Sequence, residues 1–179
     1  MTQRITRLRS RGASRTSVHR VGVGGRGGLA LAEDVPPGTL RVLPEGDRIV
    51  YEQIVPRPRS NGATVIESWI TIRGLGGKEE EQRLARGREP TLTPDGRWIV
   101  FASSSSAGYR LRRMRLDGTS RVAIDPGGAE ERMPAVSPDG DFIAFVKFEY
   151  GRRRLAVRSF DGKDERVLVS EGWSEFPVW

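Results

Sequence analysis

The chain contains no cysteine and a single histidine, His19. The first absence excludes disulfides, thiolate metal sites and a cysteine nucleophile, and leaves the compartment open. The second leaves a Ser-His-Asp triad or a histidine-based zinc site without a partner in the rest of the chain. No run approaches the ~18 consecutive apolar residues of a membrane span. Segments of 3.6-residue periodicity are also missing, which argues against a helical repeat. Residues 1–28 hold no Asp or Glu, although they carry Arg4, Arg7, Arg9, Arg11, Arg15, Arg20 and Arg26. No apolar core of a signal peptide follows this basic start, because "VGVGGRGGLALA" is broken by Arg26 and by glycines.

The location of the charge limits the partners. The chain has 30 basic and 23 acidic residues, a net charge of +7. Removing the seven arginines of residues 1–28 leaves 30 − 7 = 23 basic against 23 acidic residues, so the remainder is neutral. Nucleic-acid binding is therefore not expected of the folded part. Residues 1–28 are mainly Arg, Ser, Gly and Thr. The expectation is a disordered basic tail and linker over residues 1–38, ending in the turn-rich "EDVPPG", with a folded domain over 39–179. The tail arginines read as a solvated extension, with attraction for nucleic acid or anionic lipid as the alternative.

Glycine and proline are abundant, at 22 and 11. They punctuate a repeat. "PTLTPDGRWIVF" begins at Pro90 and "PAVSPDGDFIAF" at Pro134, a spacing of 134 − 90 = 44 residues. Asp95 to Asp139 and Asp117 to Asp161 are also 44 apart, and Pro134 to Pro177 is 43. A degenerate copy, "LRVLPEGDRIVY", starts at Leu40, with Glu45 where the others have Asp. It carries an insertion, "VPRPRSNGATV" at 55–65, whose composition marks a loop. Each period holds four short apolar runs of strand length: "PTLT", "RWIVFAS", "YRLRRMRL" and "SRVAI" in the second copy, "PAVS", "DFIAFVKF", "RRLAVRSF" and "ERVLVS" in the third. Four antiparallel strands every ~40–45 residues is the period of a propeller blade. The fold expected is all-β, with three four-stranded antiparallel blades at about 40–89, 90–133 and 134–176, and the first strand of a fourth at 176–179.

The residues between the runs have a mechanism. In Pro94-Asp95-Gly96 and Pro138-Asp139-Gly140, proline fixes φ, aspartate suits the next turn position and glycine accepts φ > 0. Asp117-Gly118 and Asp161-Gly162 are hairpin signals between the third and fourth strands. These carboxylates read as turn chemistry, since the calcium-loop pattern is absent.

The pattern P-x-x-[ST]-P-D-G-x-x-[IV]-[AV]-F followed by [LF]-D-G resembles the TolB-type, WD-like β-propeller repeat. The matching residues are Pro90, Thr93, Pro94, Asp95, Gly96, Ile99, Val100 and Phe101 with Leu116, Asp117 and Gly118. The next copy supplies Pro134, Ser137, Pro138, Asp139, Gly140, Ile143, Ala144 and Phe145 with Phe160, Asp161 and Gly162. The resemblance covers Leu40 to Trp179, loosely in the first copy. It implies a non-catalytic scaffold for protein–protein or ligand binding, with no cofactor. It also implies a periplasmic or other extracytoplasmic location, although no signal peptide is read and the cytoplasm is the alternative. A second implication is a propeller domain gating a peptidase of prolyl-oligopeptidase or tricorn type, with the catalytic domain outside this chain. Closed propellers hold 4–8 blades. Three blades point to a piece of a longer chain, or to a homodimer completing a six-bladed ring.

Three further motifs carry less. Gly22-Val23-Gly24-Gly25-Arg26-Gly27 satisfies G-x-G-x-x-G but lacks the flanking strand, helix and acid of a dinucleotide site. Gly172-Trp173-Ser174 starts like a nucleophile elbow, with Phe176 in place of the second glycine. Trp69, Trp98, Trp173 and Trp179 read as wedges between blades, and Phe101 and Phe145 as core. Arginines recur around the third strand of each copy, among them Arg112, Arg113, Arg153 and Arg154. They read either as a solvated strand face or as candidate contacts for an acidic protein partner.

Overall fold

A computed structural model of the chain describes residues 3–10, 13–21, 28–76, 80–106, 108–124, 127–169 and 177–179. Every regular element among the described residues is a β-strand, and no helix there is long and apolar enough to cross a membrane. The chain divides into two compact units, Met1–Ala85 and Arg86–Trp179.

The second unit holds two four-stranded antiparallel sheets. Blade 2 comprises β8 (Arg88–Leu92), β9 (Trp98–Ser105), β10 (Gly108–Arg115) and β11 (Val122–Ala123). Blade 3 comprises β12 (Glu130–Val136), β13 (Phe142–Glu149), β14 (Arg152–Ser159) and β15 (Glu165–Val169). In both, strands follow chain order, as the four apolar runs of each period predict. The second strand of each blade is a continuous apolar run because both of its faces are covered. Ile99, Val100, Phe101 and Ala102 are buried on β9, as are Ile143, Ala144, Phe145 and Val146 on β13. Val100, Ala102 and Leu111 of blade 2 pack against Ile143, Phe145 and Ala156 of blade 3, with Ile124 closing the layer. Burial of each large aliphatic or aromatic side chain here contributes about 1.5–3 kcal/mol.

The innermost strands begin earlier than the repeat motif predicts, at Arg88 and Glu130 rather than at the prolines. Pairing with the second strand slips between Arg88 and Thr91, and again between Arg132 and Ala135. Glu89 and Met133, 44 residues apart, sit inside these slips at φ of 55°. Each is a bulge carried by a non-glycine residue in the left-handed region, which the sequence pattern does not betray.

The first unit holds blade 1, made of β4 (Leu40–Val42), β5 (Arg48–Pro58), β6 (Thr64–Gly74) and β7 (Gln82–Arg86), the last strand ending at the unit boundary. The insertion at 55–65, expected to be a loop, instead lengthens the β5–β6 hairpin, which pairs without a break from Arg48↔Gly74 to Pro58↔Thr64. Pro56 and Pro58 are tolerated because β4 pairs with β5 only as far as Tyr51, so the prolines lie on a free edge. The turn narrows to Arg59–Ala63, closed by a 2.7 Å bond from the Arg59 N–H to the Ala63 carbonyl.

Strands are described within residues 1–38, the stretch read from sequence as a disordered tail and linker. Residues Gln3–Ser10 (β1), Ala13–Val21 (β2) and Gly28–Glu33 (β3) form an antiparallel sheet in the order β1-β2-β3. Val18, Leu31, Ala32 and Val35 share a core with Ile49, Tyr51 and Leu75 of blade 1. Few as they are, these apolar side chains have a partner surface that a composition average over the segment conceals. The G-x-G-x-x-G at 22–27 and the Gly172–Ser174 stretch lie outside the described residues, as do Trp173 and Phe176.

Candidate functional site

The repeated aspartates are built into one hydrogen-bonded turn. The Thr93 hydroxyl donates to Asp95 Oδ1 at 2.5 Å, the Arg97 N–H donates to the same oxygen at 3.0 Å, and the Trp98 N–H reaches Thr93 Oγ1 at 3.1 Å. In blade 3 the Ser137 hydroxyl and the Asp141 N–H converge on Asp139 Oδ1 at 2.5 and 3.0 Å, and Phe142 N–H donates to Ser137 Oγ at 3.0 Å. The same arrangement returns at Ser159, Asp161, Lys163 and Asp164. At Asp117 the donors are the Thr119 hydroxyl and N–H, at 2.6 and 2.9 Å. Gly96, Gly118, Gly140 and Gly162 follow at positive φ, as the turn demands. At Gly162 an added Cβ would also lie 2.4 Å from the Ile124 carbonyl oxygen.

These donors act on the ionised form. All four carboxyls sit below the usual aspartate range: Asp95 and Asp139 first through the preceding hydroxyl, Asp117 through Thr119, and Asp161 through Lys163 and then Ser159. Among the described residues no group of acids and histidines is placed to hold a metal ion.

The four candidate partner arginines do not share a surface. Neighbours on a strand face opposite sides, so Arg112 and Arg113 diverge, as do Arg153 and Arg154. Arg113 points into the layer between blades 2 and 3. Its guanidinium lies 5.3 Å from the Trp98 ring and 4.7 Å from that of Phe160, and it donates to the Phe160 carbonyl. Arg154 pairs with Glu149 at 2.9 Å. Arg153 is half-buried over Phe148, at 5.4 Å, while Arg112 is exposed. Arg112 is exposed, whereas Arg113, Arg153 and Arg154 are half-buried.

Two clusters escape sequence reasoning. Glu89 joins the two innermost strands: its carboxylate accepts from the Arg132 guanidinium at 2.6 Å and from the Met133 N–H at 2.7 Å. Deeper in the layer, Arg158 and Glu131 are both 1% exposed and form a two-pronged ion pair at 2.5 and 3.0 Å. Arg158 also donates to Glu165, which Lys147 holds at 2.7 Å, and its guanidinium stacks 4.7 Å above Phe145. Burial alone would lower the Arg158 pKa, but the bonds to Glu131 and Glu165 outweigh it and the net shift is upward. Only the 44-residue partner of Arg158, Met114, hinted that this strand position is inward.

In the first unit, Tyr51 is completely buried and donates to Glu81 Oε2 at 2.5 Å, while the Gln53 amide donates to Oε1 at 2.7 Å. Burial, then the carboxylate of Glu81, push the Tyr51 phenol well above its ordinary value.

Four-stranded antiparallel sheets with strands in chain order recur in solved structures. The fold is that of a β-propeller. TolB from Acinetobacter baumannii superposes on 91% of this chain with a TM-score of 0.71 at 18% identity, and the chain spans 40% of that protein's length. A putative TolB from Agrobacterium tumefaciens matches 85% of the chain and 73% of its own length, with a TM-score of 0.54 and 20% identity. A Mycobacterium tuberculosis puromycin-hydrolyzing peptidase matches over 92% of this chain and 30% of its own, with a TM-score of 0.61 and 17% identity. No protein-family model and no curated protein matches the sequence.

Proposed function

We propose that the chain is a non-catalytic propeller scaffold whose outer face on blade 3 binds a protein. The observation that carries this reading is β15. All five of its residues are exposed, including Val167, Leu168 and Val169 at 39%, 46% and 41%, and Phe142 is 42% exposed on the neighbouring side of the blade. An apolar edge strand presents unpaired backbone groups and is a template for another strand. The partner of first choice is a second copy, which also answers the blade count. The experiment is sedimentation velocity of the full chain over a concentration series. Reversible dimerisation that Val167→Lys with Val169→Lys abolishes, at an unchanged thermal midpoint, supports the reading. A monomer throughout removes the homodimer, and a dimer indifferent to both substitutions removes this face.

A second reading is favoured by the likeness to the puromycin-hydrolyzing peptidase. In this reading the blades of the present chain gate a catalytic domain of peptidase type that lies outside it. A serine nucleophile, an acid and a histidine read in frame in the gene would establish it.

A further inference from the structure

The unit of residues 1–85 contains an open-mouthed cavity of about 390 Å³. That is within the range of small-ligand sites, roughly 300–1,000 Å³. One wall is β3 and the residue after it, and Gln53 and Ile54 of β5, Arg73 of β6 and Glu81 before β7 complete the lining. Its charged lining among the described residues is Glu33, Asp34, Glu81 and Arg73.

The polar groups are held in place. Glu81 is fixed by Tyr51 and Gln53, and Gln53 is itself held by Arg83 Nε at 2.8 Å. These two bonds use about half of the roughly four acceptor positions of a carboxylate. Asp34 is half-buried, and its side chain makes no hydrogen bond among the described residues, while its carbonyl accepts from the Ile54 N–H at 3.2 Å. Arg73 donates to the Leu31 carbonyl, yet its Nε is sealed from solvent without an acceptor. Ala30, Leu31, Ala32 and Ile54 make up the apolar part of the lining.

We propose that this cavity binds a short aliphatic amino acid whose ammonium and carboxylate are separated by several methylenes. The ammonium is taken by Asp34 and Glu81, the carboxylate by Arg73, and the methylenes lie against Ala30 and Ile54. The acids are not grouped to hold one metal ion, which disfavours a bare cation. The proposal stands apart from partner binding by blade 3, and a silent cavity leaves that reading intact.

The test is isothermal titration of the full chain with 4-aminobutanoate, and with butanoate as the probe lacking the ammonium. The amino acid binds and butanoate does not. Asp34→Asn weakens binding by about tenfold or more, the scale of one charged hydrogen bond. Ala30→Phe, at an exposed position, blocks the cavity without removing a hydrogen bond and abolishes binding while the thermal midpoint holds. Asp117→Asn, in the other unit, leaves binding unchanged. No heat up to about 10 mM ligand, far weaker than a specific site of this size sustains, overturns the proposal. Equal binding of butanoate, or an Ala30→Phe chain that binds like the parent, overturns it as well.

Discussion

A hydroxyl two residues ahead of an aspartate closes the same turn at Thr93–Asp95, Ser137–Asp139 and Ser159–Asp161. The hydroxyl has two roles there: it donates to the carboxylate and accepts the N–H of the residue five positions on. Only an ionised carboxylate accepts both the hydroxyl and the backbone donor at full strength. Each of these aspartates therefore binds its proton less tightly in the folded chain than in the unfolded one. The folded state binds fewer protons, so stability from these turns is complete above the unfolded aspartate value and falls away as the pH drops below about 4. Urea unfolding at pH 7 and pH 3 measures this. Asp139→Asn is expected to reduce the difference between the two pH values, because its amide cannot lose or gain that charge. An unchanged pH slope in Asp139→Asn with Asp95→Asn would show that the turns are not its source.

Strands and their pairings rest on different kinds of information. β9 and β13 are legible because an apolar run flanked by Pro-Asp-Gly admits little else, and the 44-residue spacing assigns β10, β11, β14 and β15 by repetition. β2 and β3 are not legible, because Val18, Leu31 and Ala32 share their core with Ile49, Tyr51 and Leu75 of the blade 1 segment. The bulges at Glu89 and Met133 are hidden for a related reason. Neither residue type favours positive φ, and what holds Met133 is the Glu89 carboxylate on the adjacent strand. The cavity of the first unit was equally invisible, since Asp34 and Glu81 are 81 − 34 = 47 residues apart with no shared motif.

Blade 3 is tied together by charge as well as by strand pairing, Glu131 lying on β12 and Arg158 on β14. Glu131 and Arg158 neutralise each other in a site where neither meets water. Glu131→Ala leaves the Arg158 guanidinium buried without its two-pronged partner, and the expected cost is about 3–5 kcal/mol. Replacing the two together by Met and Leu should cost far less, since no charge is then stranded. Chemical denaturation of the three chains decides it. A single variant no worse than the double would mean that water enters the layer.

At the scale of the whole molecule, the repeat makes one leucine a control for another. Leu111 pairs with Ala102 on β10 and β9, and Leu155 pairs with Val146 at the equivalent point of blade 3. Blade 3 seals Leu111 to 0% exposure, whereas Leu155 remains half-buried among the described residues. Leu111→Ala is therefore expected to cost about 2–5 kcal/mol through lost contacts and the cavity left behind. Leu155→Ala should cost clearly less in dilute solution, because part of its surface never left water. If a second copy covers this face, the two costs converge as concentration rises, and Leu155→Ala also weakens association. Equal costs at the lowest concentration would mean that the face is already covered within the chain. A Leu155→Ala cost that stays small at every concentration would place the contact surface elsewhere, and with it the reason for the exposed apolar edge of β15.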